Sequence, residues 1–266
     1  MNYTIEFKNT SLHYRDQGFG DTIVLLHGYL ESLEIWDSFG QSLSAKHRVV
    51  SIDLLGHGES GCTGAIHTMT EMAEAVNEVL NHLSIANCIM VGHSLGGYVT
   101  MAFAALYAEK LRGYCLFHSH TFADTEATIE KRNREIALVR EGKKDLIYST
   151  SVPNFFAERS LTKFPEAVEV SRRIALKTSG EGIIAALEGM KIRPDSSAIL
   201  AQSKLPFLYI IGKRDNLIHI DILKKIVMPD DTMILILENS GHIGFVEEPK
   251  RSLEIIERFA KHCFDQ

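Results

Sequence analysis

Short apolar runs alternate with stretches of helical periodicity along most of this chain. Thr22-Ile23-Val24-Leu25-Leu26, Arg48-Val49-Val50-Ser51-Ile52 and Cys88-Ile89-Met90-Val91 read as strands. So do Tyr114-Cys115-Leu116-Phe117, Phe207-Leu208-Tyr209-Ile210-Ile211 and Met233-Ile234-Leu235-Ile236-Leu237. They are apolar at consecutive positions, not at every second one, as expected of strands covered on both faces. Met72, Ala73, Val76, Val79, Leu80 and Leu83 recur at the spacing that lines one side of a helix, and Ile255, Ile256, Phe259 and Ala260 do the same near the end. Strand and helix in alternation predict an α/β fold with a doubly wound, mostly parallel sheet. Residues 3–14 alternate more and suit an antiparallel hairpin at one edge.

The pattern changes after His118. From there to about Gln202 strand-like runs nearly vanish, and charged helical stretches at 124–144, 164–178 and 181–191 take their place. Strand-type sequence resumes at Leu205, which marks an insertion within one domain. We therefore expect a core built from 1–118 and 203–266 and a helical cap built from 119–202. Ligands of α/β sheets bind at the carboxyl ends of the strands, and an insertion leaving from that end would cover the site.

Charge and cysteine usage exclude several classes of function. The formal net charge of −6 speaks against a nucleic-acid or anionic-membrane surface. No apolar run approaches the roughly 18 residues of a membrane helix, and the first residues lack the basic start and apolar segment of a signal peptide. Cys62, Cys88, Cys115 and Cys263 show no C-x-x-C spacing, so free thiols in a reducing cytoplasm are expected. Mixed-sign runs at 130–135 and 140–145 read as solvated helix faces. The acidic balance fits a monomer or a homodimer equally.

Candidate chemistry centres on Gly92-His93-Ser94-Leu95-Gly96-Gly97. This G-x-S-x-G sequence lies between a strand-like run and an Ala-rich helical run, the strand–turn–helix context of a nucleophile elbow. Ser94 on a strained turn stands clear of the backbone, and glycines two residues to either side avoid a collision there. His27-Gly28-Tyr29 follows the first of the buried strands, so the backbone N–H groups of Tyr29 and Leu95 are candidate oxyanion donors. Asp215 and His242 each lie just past a strand, on the same sheet edge as Ser94. The order Ser94, Asp215, His242 suits a nucleophile, an orienting carboxylate and a general base.

The remaining signals read more blandly. Asp53-Leu54-Leu55-Gly56-His57-Gly58-Glu59-Ser60 reads as a structural turn, His57 included. His118-Ser119-His120 would put two imidazoles on one side of an extended strand, but no neighbouring carboxylate or thiol completes a metal site, so pocket lining at the start of the insertion is expected. Trp36 reads as core or pocket wall. Phe122, Phe155, Phe156 and Phe164 either line an acyl pocket or pack the cap helices together. No nucleotide-binding or metal-ligand motif occurs, so no cofactor and no metal are expected.

Together these motifs, from Leu26 to Phe245, resemble the α/β-hydrolase superfamily, in particular its small esterases and its enol-lactonase- and perhydrolase-like members. The resemblance implies that fold, a catalytic triad Ser94–Asp215–His242 and a cap. It implies a cofactor-independent hydrolase of a small carboxylic ester or lactone, acting through an acyl-enzyme on Ser94. A thioesterase, a C–C bond hydrolase or a slow-turnover ligand receptor would use the same constellation. A serine nucleophile separates the chain from the dehalogenase and epoxide-hydrolase relatives, which use aspartate. Another acid position of the family follows the strand at 114–117, where this chain carries His118; Asp124, the nearest carboxylate downstream, is the reserve candidate.

Overall fold

A computed structural model describes residues 1–265. Its eight strands form one sheet in the order β1-β2-β4-β3-β5-β6-β7-β8. β1 (Asn2–Phe7) and β2 (Thr10–Gln17) make an antiparallel hairpin at one edge. β3 (Thr22–Leu26), β4 (Arg48–Ile52), β5 (Cys88–His93), β6 (Leu111–Phe117), β7 (Phe207–Gly212) and β8 (Met233–Leu237) run parallel to one another. β3, β5 and β7 are buried at every position, as their unbroken apolar runs require. Met233 and Ile234 in β8 are more open because β8 is the other edge.

The chain steps from β3 to β4 in one direction and from β5 to β8 in the other. With right-handed crossovers, that reversal places helices on both faces. α1 (Asp37–Leu43) packs on α11 (Pro249–Phe264), while α2 (Met69–His82) packs on α3 (Leu95–Leu106). The reversal also creates a crevice at the carboxyl ends of β3 and β5, where loops diverge.

Between β6 and β7 lie α4 (Glu126–Arg140), α5 (Lys144–Phe155), α6 (Glu158–Lys163), α7 (Pro165–Lys177), α8 (Gly180–Lys191) and α9 (Ser197–Ala201). The sequence pattern pointed to α4, α7 and α8 but not to α5. That helix is rich in Ser and Thr and carries Pro153 in its last turn, a composition of low intrinsic helix propensity. Tertiary packing against α4 and α7 holds it instead. α10 (Gly244–Glu247) is a single turn before α11. No helix of the described residues is long and apolar enough to cross a membrane. The cysteines are free, with Cys88, Cys115 and Cys263 buried and Cys62 partly so.

Candidate active site

β5 runs directly into Ser94, which caps α3 with φ 49° and ψ −112°. A positive φ at a residue with a side chain stores strain, and the surroundings impose it. A Cβ on Gly92 would lie 2.3 Å from the Gly96 carbonyl oxygen, and one on Gly96 would lie 2.4 Å from the Leu26 carbonyl oxygen of β3. The glycines therefore admit close backbone packing, and Gly92 also makes room for the Thr100 hydroxyl. The Ser94 N–H donates to the Phe117 carbonyl at 3.0 Å, and the Ser119 hydroxyl donates to the Ser94 carbonyl at 2.8 Å. The backbone N–H groups of Tyr29 and Leu95 make no hydrogen bond among the described residues.

His242 sits in the loop between β8 and α10, with its backbone N–H donating to Phe155 O at 2.7 Å. Its Nδ1 lies 2.8 Å from Asp215 Oδ2. The other carboxylate oxygen, Oδ1, accepts the N–H groups of Leu217 and Ile218 at 2.8 and 2.9 Å. Burial disfavours the Asp215 charge, but the positive charge available on His242 and the imidazole hydrogen bonds outweigh it and hold the carboxyl well below the usual range. On His242 burial acts to lower the pKa, yet the Asp215 charge raises it above the ordinary value. Ser94 and His242 line one cavity of about 550 Å³, whose wall also includes Tyr29, Phe122, Asp124, Phe155, Met190 and Ile218.

The sequence reading missed the part played by His118. Its φ of 49° takes it out of the extended chain, so His118 and His120 do not share a face. His118 is fully buried, with Nδ1 at 3.2 Å from Asp215 Oδ2. The Gly244 N–H points at Nε2 and the Gly212 N–H at Nδ1, each at 3.1 Å. Gly244 takes the Nε2 lone pair and only Asp215 offers the ring an acceptor, so the proton belongs on Nδ1 and is donated to the carboxylate, and the Gly212 N–H faces that N–H without bonding it. Burial pushes the His118 pKa down to about 4, which keeps the ring neutral. Asp215 Oδ2 thus receives two imidazole N–H groups. His118, Asp215 and His242 also form the one group with metal-ligand spacing among the described residues, with ligand atoms within 4.8 Å of one another. Their mutual hydrogen bonds already use the atoms that a cation would need.

A second brace also lacked a sequence signal. Glu31 Oε2 accepts the Gly28 N–H at 2.6 Å and faces His93 Nδ1 at 2.9 Å, while His93 Nε2 donates to the His242 carbonyl at 2.7 Å. One buried ring therefore ties the turn after β3 to the loop carrying His242. Glu31 and His93 are too far apart in sequence for spacing to join them.

Other candidates fall where their chemistry leads. Asp124 accepts from Arg132 and Arg193 rather than from His242. His57 is buried and pushed down to about 3 by desolvation, and Asp53 accepts the Leu33 and Glu59 N–H groups, so that segment braces its turn. Trp36 packs into the core, 4.2 Å from Phe245 between ring centroids. Phe122 and Phe155 line the cavity, whereas Phe156 is buried away from it.

Comparison with known proteins gives the same picture. A family model described as the alpha/beta hydrolase fold matches residues 21–249. A thermophilic esterase from Thermogutta terrifontis, solved with malate bound, is 28% identical with a TM-score of 0.92, covering 96% of this chain and 94% of its own. The enol-lactonase from Burkholderia xenovorans LB400 shares the fold at 21% identity and a TM-score of 0.89, covering 97% and 99% of the two chains. A dihydrolipoyllysine-residue acetyltransferase component of an acetoin cleaving system from Pseudomonas putida is 26% identical over 232 residues, which span 86% of this chain but 60% of that protein.

Proposed function

The chain belongs to the alpha/beta hydrolase fold family, and from that premise we propose that it is a serine hydrolase cleaving a small carboxylic ester or lactone without a cofactor. The observation that carries this reading is the His242 ring, fixed by Asp215 at 2.8 Å and lining the same cavity as the strained Ser94. With Nδ1–H donated to the carboxylate, the lone pair of Nε2 is left to accept a proton. His242 takes the Ser94 hydroxyl proton as the oxygen attacks the carbonyl carbon. The oxyanion is received by the N–H groups of Tyr29 and Leu95, donors of a kind that contribute roughly 3 kcal/mol each. Collapse breaks the carbonyl–alkoxy bond, and His242 returns its proton to the leaving alcohol. Water then attacks the acyl-enzyme with His242 again as base.

In this reading His118 is a positioning residue. Its N–H on Asp215 Oδ2 fixes the carboxylate and spreads its charge over two rings. Residues 119–202 act as a cap, since Phe122, Asp124, Phe155 and Met190 complete the cavity wall.

The test is a time course of p-nitrophenyl acetate and p-nitrophenyl butyrate hydrolysis beside Ser94→Ala. Sustained turnover in the wild type and none in the variant is expected. A single stoichiometric burst would point to a receptor, and equal turnover in both proteins would remove Ser94 from the chemistry.

A further inference from the structure

One corner of the cavity has more hydrogen-bond donors than its own acceptors consume. α4 turns Thr128, Lys131, Arg132 and Glu135 toward the cavity, a polar stripe on an i, i+3, i+4, i+7 spacing. Arg132 donates through Nε and Nη2 to Asp124, and its Nη1 makes no hydrogen bond among the described residues. Asp124 is also bound by Arg193, whose guanidinium lies 3.9 Å from the centre of the Tyr98 ring. Two guanidinium groups therefore share one carboxylate, which accepts three of their N–H donors.

Tyr98 supplies another donor. The Phe122 N–H donates to His120 Nδ1 at 3.2 Å, so the neutral His120 ring carries its proton on Nε2. Nε2 lies 3.2 Å from the Tyr98 hydroxyl oxygen, which must then accept. The Tyr98 hydroxyl hydrogen is left to point elsewhere. Burial, reinforced by the charge of Arg193, pushes His120 down to about 4 and keeps it neutral. Other charged groups share this wall, and Glu135 acts on Arg132 through its charge. Glu135 has its carboxyl pushed up by burial and accepts from the Tyr29 hydroxyl at 3.2 Å. Glu31 is committed to His93 and Gly28. Lys131 and Lys225 add positive charge at the cavity lining.

We propose that Arg132 and Tyr98 form an anion subsite that takes a carboxylate carried by the substrate, separate from the bond being cleaved. A carboxylate oxygen accepts from both the free Nη1 and the tyrosine hydroxyl. The proposal refines the hydrolase reading: the preferred substrate is the half-ester of a dicarboxylic acid, or a lactone bearing a free carboxyl.

The test separates binding from turnover. Titration calorimetry on Ser94→Ala compares monomethyl glutarate, neutral dimethyl glutarate and inorganic phosphate. Monomethyl glutarate should bind at least about tenfold tighter than the diester, as expected of a charge-assisted hydrogen bond. Arg132→Gln and Tyr98→Phe, each placed in the Ser94→Ala background, should erase most of that difference. Tyr98→Phe removes one hydroxyl only, so it stands in if Arg132→Gln disturbs the fold. Equal binding of half-ester and diester, indifference to both variants, or tighter binding of phosphate than of the half-ester would each overturn the subsite. In the Ser94 enzyme, kcat/KM for p-nitrophenyl hydrogen glutarate should exceed that for p-nitrophenyl butyrate, and the ratio should fall in both variants. If neither ester is hydrolysed, the hydrolase reading fails while the calorimetry still decides the subsite.

Discussion

Replacing Asp215 with asparagine tests the proposed triad through the direction of a single amide. Oδ1 accepts the Leu217 and Ile218 N–H groups at 2.8 and 2.9 Å. In Asp215→Asn the amide oxygen must take that position, because the flipped amide loses both bonds and sets an NH2 group against two N–H donors. Two neutral hydrogen bonds at about 1 kcal/mol each, plus about 1–3 kcal/mol for the unsatisfied donors, bias the orientation by roughly 3–5 kcal/mol. The NH2 group then occupies the Oδ2 position, 2.8 Å from His242 Nδ1. It donates to Nδ1 and moves the ring proton to Nε2, where the Ser94 proton must go. The anion that stabilises the imidazolium is lost as well. At 1.36 kcal/mol per tenfold, kcat should fall by about 10²–10⁴. The assay is p-nitrophenyl butyrate hydrolysis, with 15N chemical shifts of His242 reporting the tautomer and circular dichroism reporting the fold. A folded Asp215→Asn protein within tenfold of the wild-type kcat would refute the reasoning.

Other consequences follow from the same contacts. Because Asp215 holds the His242 pKa above its ordinary value, the acidic limb of kcat/KM should lie above pH 6.5. His118→Leu removes one N–H from the carboxylate, concentrates its charge on His242 and should move that limb further up. His118→Asn, which keeps a donor and tolerates the positive φ, should restore it, whereas identical profiles for the two variants would make His118 purely structural. Stability should also fall as the pH drops from about 6.5. His57, pushed to about 3, and His118 and His120, each pushed to about 4, stay neutral in the fold while the unfolded chain takes up protons. His13 and His242, whose values are raised, oppose this trend but are fewer. Below about pH 4 the depressed carboxyls of Glu31, Asp53 and Asp215 add a second loss. Tm should therefore be lower at pH 5 than at pH 7, and an equal or higher value at pH 5 would contradict it.

Legibility in the sequence followed the range of the forces involved. β3 and β4 have the bounds that their apolar runs predict, because strands buried on both faces leave an unbroken local signature, and β8 has them too although as an edge strand it is only partly buried. The placing of Ser94, Asp215 and His242 at one edge was legible since each lies shortly past a strand, and a parallel sheet brings such positions together. α5 was not, because neighbours rather than its own Ser, Thr and Pro residues hold it helical. His118 and the Glu31–His93 brace were hidden for a related reason. Their meaning lies in hydrogen bonds across 97 and 62 residues of chain, which no local spacing encodes. The surplus donors of Arg132 and Tyr98 appear only once Asp124 is known to be shared by two guanidinium groups. From the sequence, Asp124 looked like a spare catalytic acid.

The central claim is an acyl group carried by Ser94. Quenching p-nitrophenyl butyrate hydrolysis with acid in the first turnover, followed by peptide mass spectrometry, tests it directly. The account predicts a butyryl adduct on the peptide containing Ser94, formed in step with a burst of p-nitrophenolate and absent from Ser94→Ala. An adduct on another residue, or wild-type turnover by Ser94→Ala, would contradict it.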